Sequence, residues 1–287
     1  MTARRTPGVP SLPTGQIVAG SYLRFLRQSR GLTLATVCGL LGLSHTAMRG
    51  VESGSRPLTW HQAETLLAGP YRVPEHKREG FARLLHGTAS HLENEQPPAH
   101  VITDSSTGWQ DRLAALQHRA DAGRVVDRLF PEFLRTPGYT ALLDTAPDPS
   151  SPQITYPTSI GAPGTLVVLE ESALLSPYGG PAIFAEQLQG LLTAVRLGHI
   201  RIRILPLDAL DHGEIARVTE IRLPGGTLLY AIPDMCGVTY HSGVPAEERL
   251  GEVLRRVTKA ALSAAESQTY VQRTLDAALA GAPLRFF

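Results

Sequence analysis

Two stretches of this chain bring carboxylates and imidazoles close together in sequence. Asp208, Asp211, His212 and Glu214 crowd one stretch, and Asp234, Cys236, Tyr240 and His241 another. Carboxylate beside imidazole is the raw material of general acid–base catalysis or of a metal site. Asp211, His212, Asp234 and His241 are therefore the candidates for catalysis. The spacing Asp208-x-x-Asp211-His212-x-Glu214 matches no recognised ligand set, and Asp and His also recur in turns for backbone reasons, so no metal is expected. Cys236 would need a base such as His241 to act as a nucleophile; without one it is a quiet thiol. No Gly-x-Ser-x-Gly elbow, phosphate-cradling glycine loop or Gly-x-Gly-x-x-Gly is found, and no cofactor is expected.

A different chemistry is written in the arginines. The formal net charge is only +1, yet residues 1–91 hold eleven Lys and Arg against four Asp and Glu, while the remainder holds sixteen against twenty-two. A basic first part facing a polyanion, ahead of an acidic second part, is the division this suggests. Short helices are expected to carry it. Residues 21–29 place Tyr22, Phe25 and Leu26 on one face, with Arg24 and Arg27 off it, and Gly31 stops the helix. Thr33 caps a helix over 34–40, Gly42 turns the chain, and Ser44 caps a helix from His45 to about Ser53. Helices from Thr59 to Leu67 and from Glu75 to about His86 follow.

The pair around Gly42 has helix-turn-helix spacing. Leu34, Val37, Leu40, Leu43, Met48 and Val51 supply the packing between two crossed helices. Ser44, His45, Thr46 and Arg49 then line the side of the second helix that reaches base edges, and Arg24, Arg27 and Arg56 are placed to meet phosphates.

The second part mixes element types. A long amphipathic helix is expected over 109–129, a loop over 147–164 and a strand over 165–169. A helix over 181–197, a strand over 201–205, a hairpin with strands 218–223 and 227–232 around Pro224-Gly225-Gly226, and helices 246–263 and 265–280 complete it. The fold class is thus an N-terminal all-α helix-turn-helix bundle plus a C-terminal α+β domain with a small, largely antiparallel sheet. Expected boundaries are a flexible tail 1–18, a DNA-binding domain 19–91, a linker 92–108 and an effector domain 109–287. Two cysteines build no disulfide framework, and no apolar run reaches the ~20 residues of a membrane helix, so a cytoplasmic protein without a membrane partner is expected. Composition, 43% hydrophobic and 18% charged, excludes a wholly disordered chain.

The text Leu32-Thr33-Leu34 through Leu41-Gly42-Leu43-Ser44, then Val51-Glu52-Ser53-Gly54-Ser55-Arg56-Pro57, resembles the Cro/phage-repressor (Xre) class of helix-turn-helix regulators. Pro131-Glu-Phe-Leu-Arg-Thr-Pro-Gly-Tyr139, Glu171-Ser-Ala-Leu174, Gly179-Gly180, Gln187-Leu188, Ile204-Leu205-Pro206 and Ala264-Ala265-Glu266-Ser267 resemble the antitoxin-like, WhiJ-like domain that follows such regulators in actinobacteria. The resemblance implies a transcriptional regulator that binds double-stranded DNA as a homodimer, with a small partner protein or small molecule at the C-terminal domain. Ala35 and Gly50 stand where that class usually carries side chains facing DNA. These departures support an alternative, a helix-turn-helix scaffold recruited as an enzyme or ligand-binding protein for specialised-metabolite chemistry, cofactor-independent and with DNA binding lost.

Overall fold

The computed structural model describes residues 13–93, 100–143, 165–209 and 217–282. The chain divides into two compact units, Met1–Arg112 and Leu113–Phe287. The first holds helices α1 (Thr14–Ser29), α2 (Leu34–Leu41), α3 (His45–Ser53), α4 (Trp60–Ala68) and α5 (Glu75–Glu93), strand β1 (Val101–Asp104) and the start of α6 (Trp109–Arg119). Its core follows the apolar periodicity in part: Val37, Met48 and Val51 are buried as expected, whereas Leu40, expected in the packing, is 52% exposed. Tyr22 and Leu23 of α1, Val37 of α2, Met48 and Val51 of α3, Leu66 and Leu67 of α4 and Phe81 of α5 are buried, and the Tyr22 and Phe81 rings lie 5.8 Å apart.

The first helix begins earlier than expected. Residues 14–18, expected within a flexible tail, are helical and buried, with Ile17 and Val18 in the core. Gly15 and Gly20 dilute the helical signal there, because glycine costs ~1 kcal/mol against alanine. Gly20 is nonetheless required, since a Cβ there would collide with the Val51 carbonyl of α3. The stretch expected as linker contains the end of α5 and all of β1. It also carries Asp104 and Ser106, both buried, on which the fully buried Arg112 converges: Nε donates to Asp104 at 2.6 Å and one Nη to Asp104 at 2.8 Å and to Ser106 Oγ at 2.8 Å. Lys77 of α5 pairs with Asp111 at 2.9 Å.

The second unit holds β2 (Ala122–Asp127), α7 (Pro137–Leu143), β3 (Thr165–Glu170), α8 (Ser172–Leu175), α9 (Gly180–Arg196) and β4 (Ile200–Leu205). After these come β5 (Val218–Arg222), β6 (Leu228–Pro233), β7 (Val238–Ser242), α10 (Gly243–Ala260) and α11 (Ala264–Leu279). It is an α+β domain, but the small, largely antiparallel sheet is corrected to a large mixed one. Within this unit the strands run β7-β6-β5-β2-β3-β4. β2 pairs with β3 and β3 with β4 in parallel, while β2–β5, β5–β6 and β6–β7 are antiparallel.

The difference traces to residues 109–129, expected as one helix. It ends at Arg119, and Ala122–Asp127 becomes a strand between β3 and β5. Gly123 and the β-branched pair Val125–Val126 fit a strand buried on both faces, as parallel strands are. One face packs Val167, Leu169, Ile202 and Ile204 against Phe184, Leu188 and Leu191 of α9 and Tyr270 and Val271 of α11. The other packs Val126, Val168 and Tyr230 against Leu250, Leu254 and Val257 of α10. Arg203 of β4 donates to the Thr258, Ala261 and Leu262 carbonyls at 2.7–3.0 Å and holds the end of α10.

Candidate nucleic-acid interface

Local signals build the α2–α3 pair. The Thr33 hydroxyl accepts the Thr36 N–H at 3.2 Å, opening α2. Gly42 ends it in the left-handed region, φ 63°, a conformation glycine takes without strain. The Ser44 hydroxyl then accepts the Ala47 N–H at 3.1 Å and starts α3. Ala47, Met48, Val51 and Glu52 turn inward, whereas Ser44, His45, Thr46 and Arg49 are exposed. Helical period alone separates these two sets.

Gly50 has a structural reason. Its carbonyl accepts from Ser53 Oγ, Ser55 N and Oγ and Arg56 N at 2.9–3.2 Å, and a Cβ there would stand 3.1 Å from Arg56 Cβ. The turn after α3 thus folds back over Gly50 and fixes the backbone of the exposed Arg56. Arg24 is half-buried on α1. Among the described residues Arg24, Arg49 and Arg56 form no ion pair.

Arg27 is corrected. Its Nε and one Nη donate to the two oxygens of Glu52 at 2.5 and 3.0 Å, and the other Nη donates to the Leu32 carbonyl at 3.1 Å. The side chains are 13% and 5% exposed, so this is a buried pair clamping α1, α3 and the turn before α2 rather than a cation offered to phosphate. The hydrogen bonds it donates to Glu52 hold the Arg27 guanidinium above its ordinary pKa, burial opposing. Tyr71, fully buried nearby, has its phenol pushed upward by burial and then by Glu52.

Of the acid–base candidates, Asp234 and His241 lie toward opposite ends of β7. Asp211 and His212 lie outside the described residues. Asp234 is occupied by its own turn: one carboxylate oxygen accepts the Cys236 and Gly237 N–H groups at 2.7 and 2.8 Å, and its N–H donates to the Gly237 carbonyl at 2.9 Å. His241 sits toward the other end of β7, opposite Tyr230 of β6, half-buried. Burial and then Arg249 lower its pKa, and burial with Glu220 and Glu247 pushes the Tyr230 phenol up to about 12. Among the described residues no group of three or more His, Cys, Asp or Glu could hold a metal ion.

Sequence reasoning missed the charged cluster at the carboxyl ends of β2 and β3. Asp127, Glu170 and Glu171 are buried there. Arg217 pairs with Asp127 at 3.0 Å, Arg128 with Glu170 at 3.3 Å, and the Tyr270 hydroxyl donates to Glu171 at 2.6 Å. The signal available was the acidic residue closing each of two apolar runs, Val125-Val126-Asp127 and Val168-Leu169-Glu170.

Residues 19–81 match the family described as a helix-turn-helix domain, and residues 110–273 match a domain of unknown function, DUF5753. No curated protein and no solved structure matches the chain. No described helix is long and apolar enough to cross a membrane.

Proposed function

This chain belongs to the DUF5753 family and carries a helix-turn-helix domain ahead of that domain, and from this we propose that it is a DNA-binding transcriptional regulator whose C-terminal domain senses a partner or small molecule. One observation carries the reading: a capped α3 that turns Ser44, His45, Thr46 and Arg49 outward while Met48 and Val51 anchor it. His45, Thr46 and Arg49 read base edges in the major groove. Arg24 and Arg56 meet phosphates on either side, which fixes register without reading sequence. A homodimer presents two such helices about 34 Å apart, one turn of duplex. The C-terminal domain shifts the balance by binding its partner differently in the DNA-competent and DNA-incompetent states.

Selection of duplexes from a random pool by the full chain tests this. The wild type enriches one motif with two related half-sites. Arg49→Ala relaxes choice at one or two positions per half-site, a loss of ~1–3 kcal/mol of discrimination there. Arg56→Ala weakens all sequences alike and flattens the salt dependence. A pool left unenriched by the wild type, or enriched identically by the Arg49→Ala variant, contradicts the assignment of α3 as the reading helix.

A further inference from the structure

The outward side of α3 carries side chains of unequal capacity. Ser44 is committed to the cap, its hydroxyl accepting the Ala47 N–H at 3.1 Å, and Ser53 donates to the Gly50 carbonyl at 3.0 Å. Gly50 has no side chain. His45, Thr46 and Arg49 remain exposed, and among the described residues their side chains enter no hydrogen bond or ion pair. Met48 and Val51, both buried, keep this side of the helix turned outward.

Thr46 offers a single hydroxyl. The two ring nitrogens of His45 point apart, so one edge of a base meets only one of them. Arg49 alone carries several donors side by side, the N–H groups of a planar fork with no acceptor among them. Base edges in the major groove are just as unequal. Guanine presents two adjacent acceptors, O6 and N7. Adenine sets an acceptor beside a donor, thymine an acceptor beside a methyl, and cytosine shows a donor. A fork of donors therefore matches guanine alone. Arg49 stands fifth in α3, one turn past His45 on the same stripe, and the next residue on that stripe is the committed Ser53. Each reading helix thus brings a single fork to the groove.

We propose that Arg49 is the specificity-determining residue of this chain and that it selects one guanine, through O6 and N7, in each half-site of the duplex it binds. This rests on the reading of α3 as the helix in the major groove and names the base that helix requires. Thr46 and His45 add single contacts on either side of that base pair. Four residues of helix rise ~6 Å, about two base-pair steps, so the three side chains address neighbouring pairs rather than one. Phosphate contacts fall to Arg24 and Arg56, which lie off α3.

Base substitution in the duplex that the full chain enriches from a random pool tests this. One position in each half-site is guanine in every tightly bound sequence. Adenine at that position weakens wild-type binding at least ~10-fold, as loss of a bidentate pair does. 7-Deazaguanine there, which still pairs with cytosine but lacks N7, weakens the wild type several-fold and leaves Arg49→Ala within about twofold. Arg49→Gln no longer prefers guanine at that position, because a side-chain amide matches N6 and N7 of adenine instead. Circular dichroism verifies that both variants keep the wild-type fold, as substitution at an exposed position allows. A motif with no such guanine overturns the proposal, as does 7-deazaguanine acting alike on wild type and Arg49→Ala, or an Arg49→Gln variant that still prefers guanine. Each of these results leaves the chain a DNA-binding protein. A wild type that enriches no motif overturns the DNA-binding reading and this proposal together.

Discussion

The side chains that sequence made most suggestive divide into those left outward and those the fold consumes. Arg27 and Arg49 are alike in type and both lie on helices of the first unit, but Arg27 meets Glu52 across a helix crossing that no local pattern encodes. Removing Arg27 takes the bidentate guanidinium from the buried Glu52 carboxylate, so Arg27→Ala lowers stability in urea by about 3–5 kcal/mol. Arg49→Ala, at an exposed position, changes it by less than about 0.5 kcal/mol. Asp234 looked like half of an acid–base pair because a carboxylate near a histidine in sequence reads the same whether it serves chemistry or a turn; the two N–H groups it accepts decide for the turn. His241 supplies a pH dependence with a definite sign. Its folded pKa lies below the ordinary value, so the unfolded chain takes up a proton first as pH falls. Its contribution is complete above the unfolded value of about 6.5 and is lost as pH drops through the folded pKa. Melting temperature measured from pH 8 to pH 5 falls more steeply for the wild type than for His241→Asn.

Among elements, the limits of α2 and α3 were readable because they are local: Thr33 and Ser44 cap and Gly42 turns. β2 was not, because its neighbours make it a strand. Leu113, Leu116 and Ala120 continue a helical stripe into Val125, and only pairing with β3 and β5 gives Gly123–Asp127 an extended backbone. Gly20 shows the same limit on the helical side. In isolation it weakens α1, yet it lets α1 and α3 cross closely. Gly20→Ala therefore costs ~1–3 kcal/mol through displacement of the α3 backbone. Gly39→Ala, where a Cβ meets nothing within 4 Å, stabilises by up to ~1 kcal/mol. Thermal unfolding of the two variants checks the opposite signs.

At the scale of the whole molecule, charge asymmetry and composition located a basic helical part and an acidic mixed part, but placed the change of character earlier than the structure does. Residues 100–112 are rich in Ser, Thr and Asp, the composition of a solvated connector, and their partners on α5 are distant in sequence. The first compact unit runs to Arg112. A fragment of residues 13–112 consequently folds with a cooperative transition. One of residues 13–93 loses Asp111, which pairs with the buried Lys77, and is less stable by about 3 kcal/mol or more, measured by denaturant titration. The central proposal is that α3 reads DNA while arginines hold the backbone. Titration of the full chain with duplex from its own promoter region and with a scrambled duplex, at about 50 and about 200 mM salt, tests this most directly. A DNA-reading α3 requires tighter binding to the promoter duplex at both salts, with affinity falling ~10-fold or more between them because release of phosphate-bound counterions gains less in the higher salt. Equal affinity for the two duplexes, or no binding to either at the lower salt, would contradict it.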